Sequence, residues 1–279
     1  MRKLILGGGG PAGAAWLGGL ADGLVEQGVA LGAAEEVLGT SAGAVLGAWL
    51  AADRPLARFT AAMADRARWH AAQGGPVQPS LLGRMGRSAG LGHPSEEEIR
   101  QIAAQAAQVM RPQAVTELAA VWARWLPDAP WPASLRMVCA DAATGRPRVW
   151  GPPDGLTLAE GIATTTAAPG AAAPVLMHGR MWVDGGVRSS TNADLLAPPR
   201  PGGPERVLVL APLPGPVLEL EVESLRRRGA DVTVVVPDRQ SVIVLSGGSV
   251  LDPQTTRRAA LAATAQVAAT RGLREWWDT

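Results

Sequence analysis

Two glycine-containing motifs close to the start of the chain restrict the folds that it can adopt. Residues 7–13 have the sequence GGGGPAG and directly follow the apolar run of residues 4–6. Residues 39–43 have the sequence GTSAG, with an apolar pair before them and an alanine-rich segment after them. An apolar run, a glycine-rich turn and a helical pattern are typical of a strand that turns sharply into a helix. Two such units in succession predict an α/β fold.

The second motif places a serine at its turn, and we take this residue, Ser41, as a candidate nucleophile. In G-x-S-x-G the serine occupies a strained strand-to-helix turn. The flanking Gly39 and Gly43 lack the Cβ atoms that would clash there. A helix predicted over residues 42–52 points its dipole at the Ser41 oxygen, and its first amide, from Ala42, is placed to stabilise an oxyanion. The alternative role for this serine is that of an ordinary helix cap.

The glycine run has two interpretations. Gly8, Gly10 and Gly13 satisfy G-x-G-x-x-G, the fingerprint of a dinucleotide-binding module. Such a module needs an acidic residue at the end of the second strand, whereas Glu35 and Glu36 precede that strand. In a hydrolase, the same run leaves unhindered backbone N–H groups in one hollow. A developing oxyanion requires such donors, and one lost donor typically costs about 2.7–4 kcal/mol in the transition state.

Composition limits the remaining classes of function. The chain has 279 residues, of which 47% are hydrophobic, and this is enough for one α/β domain covering residues 1–279. A net charge of +1 gives no electrostatic footprint for nucleic acid. Cys139 is the only cysteine, so the sequence offers no intrachain disulfide and no cysteine metal cluster.

The first six residues resemble the start of a signal peptide only superficially. Four glycines interrupt what would be its apolar core, and no apolar run in the sequence reaches eighteen residues. We therefore expect a cytoplasmic protein without a transmembrane span, whose contact with a membrane, if any, is peripheral.

Periodicity predicts further elements along the chain. Helices are expected over residues 14–27, 56–70, 95–110, 156–163, 218–228 and 253–271, and strands over 135–141, 148–150, 206–210 and 231–236. A hairpin is expected around His178 and Gly179, and residues 74–92 are expected to be irregular. Trp122, Trp125 and Trp131, with Trp69, are expected to pack in the core, to form an apolar mouth for an acyl chain, or to contact a lipid interface.

A serine nucleophile needs a base to take its proton. The sequence contains three histidines, His70, His93 and His178. Ser41, Asp141 and His178 have the chain order of an α/β-hydrolase triad. That fold, however, places its histidine near the C-terminus and several strands ahead of the serine, and here only two precede it. The triad is therefore a poor fit, and Asp141 is expected to serve a turn.

Asp184 is the alternative base. It ends a predicted strand and is followed by Gly185 and Gly186, an arrangement that can hold a carboxylate against another loop. An aspartate has a reference pKa of about 3.9, and desolvation in a glycine-walled pocket would raise it. An ordinary Asp-Gly turn is the other interpretation. The polar residues that follow are expected to hydrogen-bond this carboxylate or to cap the next turn.

Taken together, these motifs resemble those of the patatin-like phospholipases, specifically the bacterial branch of these lipid acyl hydrolases. Residues 8–13 match the oxyanion loop of the family, residues 39–43 its nucleophile elbow and residues 184–186 its D-G-G/A acid motif. Residues 168–170 resemble the small-residue segment ahead of the acid. The resemblance implies a three-layer α/β/α sandwich with a mostly parallel central sheet. It also implies a helical elaboration over residues 55–133, after the nucleophile helix.

The resemblance further implies a carboxylic ester hydrolase that uses Ser41 and Asp184 as a dyad through an acyl-enzyme, without catalytic histidine, metal or cofactor. Its substrate would be a lipid ester. The oxyanion donors would come from the loop and elbow, at Gly8, Gly9, Gly10 and Ala42. The chain departs from the family at Ala12, where an arginine or lysine is usual, and this places substrate preference in question. Two other functions stay open, a non-catalytic lipid- or protein-binding member of the family and a dinucleotide-binding module.

Overall fold

The structure is a computed structural model that describes residues 1–74, 77–198 and 205–278. Over these residues the chain forms nine strands and eleven α-helices. The strands are β1 (Arg2–Leu6), β2 (Glu36–Thr40), β3 (Gln113–Ala114), β4 (Leu135–Asp141), β5 (Pro147–Trp150), β6 (Val175–Met177), β7 (Arg180–Asp184), β8 (Glu205–Leu210) and β9 (Ala230–Val235). The helices are α1 (Gly10–Glu26), α2 (Ala42–Ala51), α3 (Leu56–Ala72), α4 (Pro79–Leu82), α5 (Glu96–Val109), α6 (Val115–Trp122), α7 (Leu158–Thr165), α8 (Leu218–Arg227), α9 (Arg239–Ser246), α10 (Pro253–Gln266) and α11 (Leu273–Asp278).

All the described strands belong to one mixed, mostly parallel sheet. Its order is β3-β6-β7-β4-β2-β1-β8-β9, and β5 pairs with β4 outside this path. The central run β4-β2-β1-β8-β9 is parallel, whereas β5 and β7 are antiparallel to β4. Strand β1, which resembles a signal-peptide start in the sequence, lies inside the sheet. Its buried Lys3 forms ion pairs with Glu36 and Glu205.

Helices cover both faces of the sheet because side chains alternate along each strand. Leu4 and Leu6 pack on one face with residues of α1, α2, α3 and α10, whereas Ile5 and Val138 pack on the other face with α8. Ala140 lies two residues beyond Val138 and packs with α5. The predicted three-layer α/β/α sandwich is therefore confirmed. No helix among the described residues has both the length and the hydrophobicity needed to cross a bilayer.

Most predicted elements are present, and the differences have local causes. The first long helix begins at Gly10 rather than at residue 14, because Pro11 is well suited to a first helical turn. The helix expected over residues 156–163 starts two residues later, after a capping box formed by Thr157 and Glu160. The last predicted helix ends at Gln266 and is followed by a 3₁₀ turn and by α11. Helices α4, α6, α9 and α11 and the short strand β3 were not predicted, and α4 lies within residues 74–92, which were expected to be irregular. Residues 75 and 76 of that segment lie outside the described residues.

Strand β4 brings the carboxyl ends of β2 and β7 together. In the pairing register, Thr40 at the end of β2 lies opposite Val138, and Asp184 at the end of β7 lies opposite Cys139. Because Val138 and Cys139 are adjacent, β2 and β7 finish side by side although they are far apart in sequence. The loop that follows β1 reaches the same edge of the sheet. Ligands of open α/β sheets bind at the carboxyl ends of the parallel strands.

Candidate active site

Ser41 lies between β2 and α2 in a backbone conformation that non-glycine residues rarely adopt. Its φ is 52° and its ψ is −119°, and a residue held in such a region costs on the order of 1–3 kcal/mol. Tight packing maintains the turn, since a Cβ atom on Gly43 would lie 2.0 Å from the carbonyl oxygen of Leu6, and one on Gly39 would lie 2.4 Å from the Cα of Ala44. The two glycines of the motif thus allow α2 to approach β1 and β2 closely.

Thr165, at the end of α7, fixes this strained turn. Its hydroxyl accepts a hydrogen bond from the Ser41 amide at 3.0 Å and donates one to the carbonyl oxygen of Val138 at 2.5 Å. The Thr165 side chain is fully buried. One hydroxyl therefore attaches the Ser41 turn to β4, the strand that also positions Asp184.

Asp184 is buried at the end of β7 and faces Ser41. Its Oδ1 accepts a hydrogen bond from the Gly186 amide at 2.7 Å, whereas its Oδ2 is buried without a hydrogen bond from any residue that the structure describes. Burial raises the pKa of Asp184 to about 7, while the Ser41 hydroxyl and the Gly186 amide act in the opposite direction. Ser41 and Asp184 line the same cavity, and the Ser41 hydroxyl acts to lower the pKa of the carboxyl. A carboxyl with one unsatisfied oxygen and a pKa near neutrality is suited to accept a proton.

Asn192 joins the Ser41 turn to the Asp184 loop. Its Nδ2 donates to the Thr40 hydroxyl at 3.2 Å, to the Gly185 carbonyl oxygen at 3.1 Å and to the Ser189 carbonyl oxygen at 2.7 Å. The residue is completely buried and has a φ of 50°. Because Thr40 precedes Ser41 and Gly185 follows Asp184, this amide links the two segments that carry the candidate catalytic groups.

Replacing Asn192 with glycine should lower kcat while KM changes little. Glycine tolerates the positive φ, so the variant removes the side-chain bonds without adding backbone strain. We expect kcat to fall about tenfold to a hundredfold, the effect of a misplacement on the order of 1 Å. Kinetics on a soluble ester, with thermal unfolding of the same samples, test this expectation. Loss of stability with an unchanged kcat would show that Asn192 supports only the fold.

The predicted oxyanion donors divide into two groups. The Gly8 amide donates to the carbonyl oxygen of Ser190 at 2.7 Å, so in this conformation it is not available to a substrate. The amides of Gly9, Gly10 and Ala42 have no acceptor among the described residues. These three N–H groups lie at or beside the N-termini of α1 and α2, where helix dipoles favour negative charge.

A cavity of about 530 Å³ opens beside Ser41 and Asp184. Besides these residues and the loop glycines, its walls are mainly apolar and include Leu82, Met85, Pro212, Leu213, Val217, Val242, Leu245, Val250 and Leu251. Ligand pockets commonly have volumes of about 300–1,000 Å³. The size and apolar lining suit an acyl chain.

A second, smaller cavity of about 70 Å³ lies on another side of Ser41. Its lining includes Ala42, Arg66, His70 and Trp122. Ser41 lines both cavities, so a group bound at its hydroxyl can extend in two directions. Of the four tryptophans discussed above, Trp122 therefore lies at the site, while Trp125 is buried in the core and contacts Trp69 and Trp122 edge-to-face. Trp131 packs against the core, where its ring contacts Gly161.

The histidines and Asp141 have other partners. His70 Nε2 lies 2.9 Å from the carbonyl oxygen of Ala171, and His178 lies in the tight turn between β6 and β7, as the predicted hairpin requires. Asp141 accepts hydrogen bonds from the amides of residues 143 and 144 and pairs with Arg180. Asp141 thus has the predicted turn role.

One group of side chains among the described residues has the composition of a metal site. Ligand-type atoms of His93, Asp194 and Glu221 lie within 4.8 Å of one another. Arg188 pairs with Asp194, while the Thr191 hydroxyl and the Ala193 amide donate to Glu221. Because protein donors and a cation already satisfy these carboxylates, the cluster is a network that braces the loop after Asp184. The polar residues after Asp184 therefore hold their loop against α8 and against the Ser41 turn, and they do not bond the carboxylate.

The structure places neither acidic residue of the dinucleotide hypothesis near the glycine run. Glu36 lies at the start of β2, at the edge of the sheet opposite to Ser41, and pairs with Lys3. Glu35 accepts a hydrogen bond from the Arg2 amide at that same edge. Neither carboxylate can reach a ribose bound at the glycine run.

Thr165 and Asn192 are site residues whose roles the sequence did not predict. Both belong to runs of small polar residues, and nothing in those runs distinguishes a residue that contacts the Ser41 turn from its neighbours. Their roles depend on contacts over 124 and 152 positions. The polarity of the segment after Asp184 was the only available indication for Asn192.

Comparison with known proteins identifies a family. The model of the patatin-like phospholipase family matches residues 4–197, a span that includes the glycine run, the Ser41 turn and the Asp184 loop. A search of curated proteins finds no match for the chain. The family assignment therefore rests on the family model.

Several solved structures align with the chain at low identity. VipD from Legionella pneumophila has a TM-score of 0.46 and 12% identity, with 98% of this chain and 67% of VipD covered. The type III effector ExoU has a TM-score of 0.41 and 17% identity, with 98% of this chain and 53% of ExoU covered. Full-length ExoU from Pseudomonas aeruginosa in complex with SpcU has a TM-score of 0.34 and 15% identity, with 96% of this chain and 53% of the ExoU chain covered. The chain spans about half the length of ExoU.

Proposed function

Because the chain belongs to the patatin-like phospholipase family, we propose that it is a lipid acyl hydrolase in which Ser41 is the nucleophile and Asp184 its base. One observation carries this proposal. The strained serine and the buried carboxyl line one mainly apolar cavity together with Gly9 and Gly10, although they come from distant parts of the chain, and the amides of these two glycines and of Ala42 have no acceptor among the described residues. Membership of the family supports lipid hydrolysis in general. The Ser41–Asp184 dyad and the acyl-enzyme intermediate on Ser41 are our proposal.

The first half-reaction would transfer the acyl group to Ser41. Asp184 accepts the hydroxyl proton while the Ser41 oxygen attacks the ester carbonyl carbon. The carbonyl oxygen becomes an oxyanion, which the amides of Gly9, Gly10 and Ala42 stabilise. The tetrahedral intermediate then collapses, the bond to the leaving oxygen breaks, and the protonated Asp184 donates its proton to that oxygen. The alcohol departs and the acyl chain stays bound as a Ser41 ester.

The second half-reaction would release the fatty acid. Asp184 takes a proton from water, and the water oxygen attacks the acyl carbon of the Ser41 ester. The same amides stabilise the second oxyanion. On collapse, the Ser41 oxygen leaves and recovers the proton from Asp184, so both residues return to their starting state.

The remaining organisation of the chain fits one functional unit. We propose that residues 1–279 form a single domain in which the elaboration over residues 55–133 builds walls of the site. Leu82 and Met85 line the larger cavity from this segment, and Arg66 lines the smaller one.

The proposal is tested by incubating the purified chain with phospholipid, lysophospholipid, glyceride and p-nitrophenyl ester substrates and measuring released fatty acid or nitrophenol. A fluorophosphonate probe, followed by peptide mass spectrometry, identifies the reactive serine. We expect turnover of at least one lipid ester and labelling at Ser41. A folded chain that releases no acyl group and leaves Ser41 unlabelled would instead support the non-catalytic hypothesis.

A further inference from the structure

Arg66 is a largely buried cation that lines the smaller cavity beside Ser41. Its guanidinium carbon lies 5.0, 4.8 and 5.3 Å from the ring centroids of Trp69, Trp122 and Trp125. Among the residues that the structure describes, no carboxylate forms an ion pair with it, and its buried Nε has no hydrogen-bond acceptor. The neighbouring Asp65 is instead engaged with Arg68 and with the Trp125 indole.

Such a charge is costly to bury without a counter-ion. Burial lowers the pKa of Arg66 to about 10, so the side chain is still protonated at neutral pH. The tryptophan rings offset part of the cost through cation–π contacts. Of the described residues that line either cavity, Asp184 is the only acid, and it serves Ser41. No described lining residue is thus available as a counter-ion for Arg66, and an anionic group of a bound ligand can take that place.

The two cavities differ in what they can accept. The larger, of about 530 Å³, has mainly apolar walls, with Arg87 among its lining residues, and suits an acyl chain, whereas the smaller, of about 70 Å³, is lined by Ser41 and by the guanidinium of Arg66. We infer that Arg66 forms an anion subsite for the phosphate of a phospholipid, so that the phosphate lies against the guanidinium at the smaller cavity while the acyl chain occupies the larger one. This inference rests on the proposed function and makes Arg66 a determinant of head-group specificity.

Arginine is well matched to this task. Its planar guanidinium can hydrogen-bond two oxygens of one phosphate at the same time. Hydrogen bonds to charged groups are stronger than neutral ones, and the loss of one corresponds to about a tenfold to hundredfold change in an equilibrium or rate constant. Ester substrates without a phosphate would not gain this contact.

The test compares phosphatidylglycerol with diacylglycerol carrying the same acyl chains, both in mixed micelles of a non-ionic detergent. The measured quantity is the ratio of the two kcat/KM values. Wild type should prefer the phospholipid, and Arg66→Met should lower the ratio about tenfold to hundredfold. Arg66→Lys keeps the charge but loses the planar guanidinium that can bond two phosphate oxygens. Its ratio should lie between those of wild type and of Arg66→Met.

Arg124→Met is the matched control, since Arg124 also stacks on Trp69 and Trp125 but does not line the cavity. Its ratio should equal that of wild type.

The outcomes separate this inference from the proposed function. If wild type releases fatty acid from neither substrate, the proposed function fails and the inference fails with it. If wild type is active but Arg66→Met lowers both rates equally, Arg66 only supports the structure and the subsite is refuted. If Arg66→Met does not fold, a folded Arg66→Lys with an unchanged ratio refutes it equally. Inhibition of diacylglycerol turnover by glycerol 3-phosphate without any phospholipid preference would show binding of a free anion, and would overturn the head-group assignment.

Discussion

Replacing Ser41 with alanine should reduce kcat/KM for any ester substrate by on the order of 10⁴-fold or more, because the attacking oxygen is removed while the cavity is preserved. Replacing Asp184 with asparagine should have an effect of similar size, since asparagine can still accept the Gly186 hydrogen bond but cannot take a proton. Residues that act as a unit have strongly non-additive effects. The double variant should therefore be hardly less active than either single variant.

The control for these variants is Asp141→Asn. Asp141 is also buried at the end of a strand of the sheet, but it serves a turn and pairs with Arg180. Its replacement should leave the turnover of p-nitrophenyl esters within a few-fold of wild type. Circular dichroism and thermal unfolding establish that all variants fold. A folded Asp184→Asn variant with near wild-type turnover would mean that another group, or water alone, removes the Ser41 proton.

The burial of Asp184 should determine how the activity depends on pH. Because burial raises the pKa of this carboxyl to about 7, the ionised base is scarce in acid, and kcat/KM should rise with pH until about 7. At pH 5 we expect a value about a hundredfold below the plateau, since each pH unit below the pKa costs about tenfold. The profile is measured with a neutral ester so that the substrate does not titrate. A plateau that extends down to pH 5 would indicate a base with an ordinary aspartate pKa.

The same pKa shift affects stability with a definite sign. Between the unfolded pKa of 3.8 and the folded value of about 7, the folded chain holds more protons than the unfolded chain. This contribution to the free energy of unfolding is therefore fully present below pH 3.8 and is lost as the pH rises through about 7. Asp184→Asn does not titrate, so its stability relative to wild type should increase with pH, by about 4 kcal/mol at most. Urea unfolding of both proteins at pH 5 and at pH 8 measures the difference.

The sequence was most informative where function depends on local backbone geometry. The Ser41 turn needs small residues at fixed spacing, and Gly43 meets this need because α2 passes so close to Leu6. Asp184 could be proposed because an acid at a strand end followed by two glycines is also a local pattern. Both positions were therefore available from motifs, although their convergence depends on the register of β2 and β7 against β4.

Contacts between distant segments were not predictable in this way. The Gly8 amide belongs to the predicted oxyanion loop, yet the chain returns at Ser190 and its carbonyl oxygen accepts the Gly8 N–H. Thr165 and Arg66 acquire their roles only when α7 and α3 pack beside the Ser41 turn. Periodicity and motif spacing contain no information about such pairs.

Helix α9 shows why one element was missed. Residues 239–246 include a valine-isoleucine-valine run, and β-branched residues lower helix propensity. In the structure Asp238 caps the helix through the Ser241 amide, while Val244 and Leu245 are buried in the core. Capping and tertiary packing thus outweigh the intrinsic preference of this segment.

The covalent state of Ser41 during turnover gives the most direct test of the proposed mechanism. A p-nitrophenyl ester with a long acyl chain is mixed with the chain, the reaction is quenched in acid within the first turnover, and peptides are analysed by tandem mass spectrometry. The account predicts a burst of nitrophenol close to one equivalent per active site and an acyl group attached to Ser41. Turnover with no acyl group on Ser41, or with the acyl group on another residue, would contradict it.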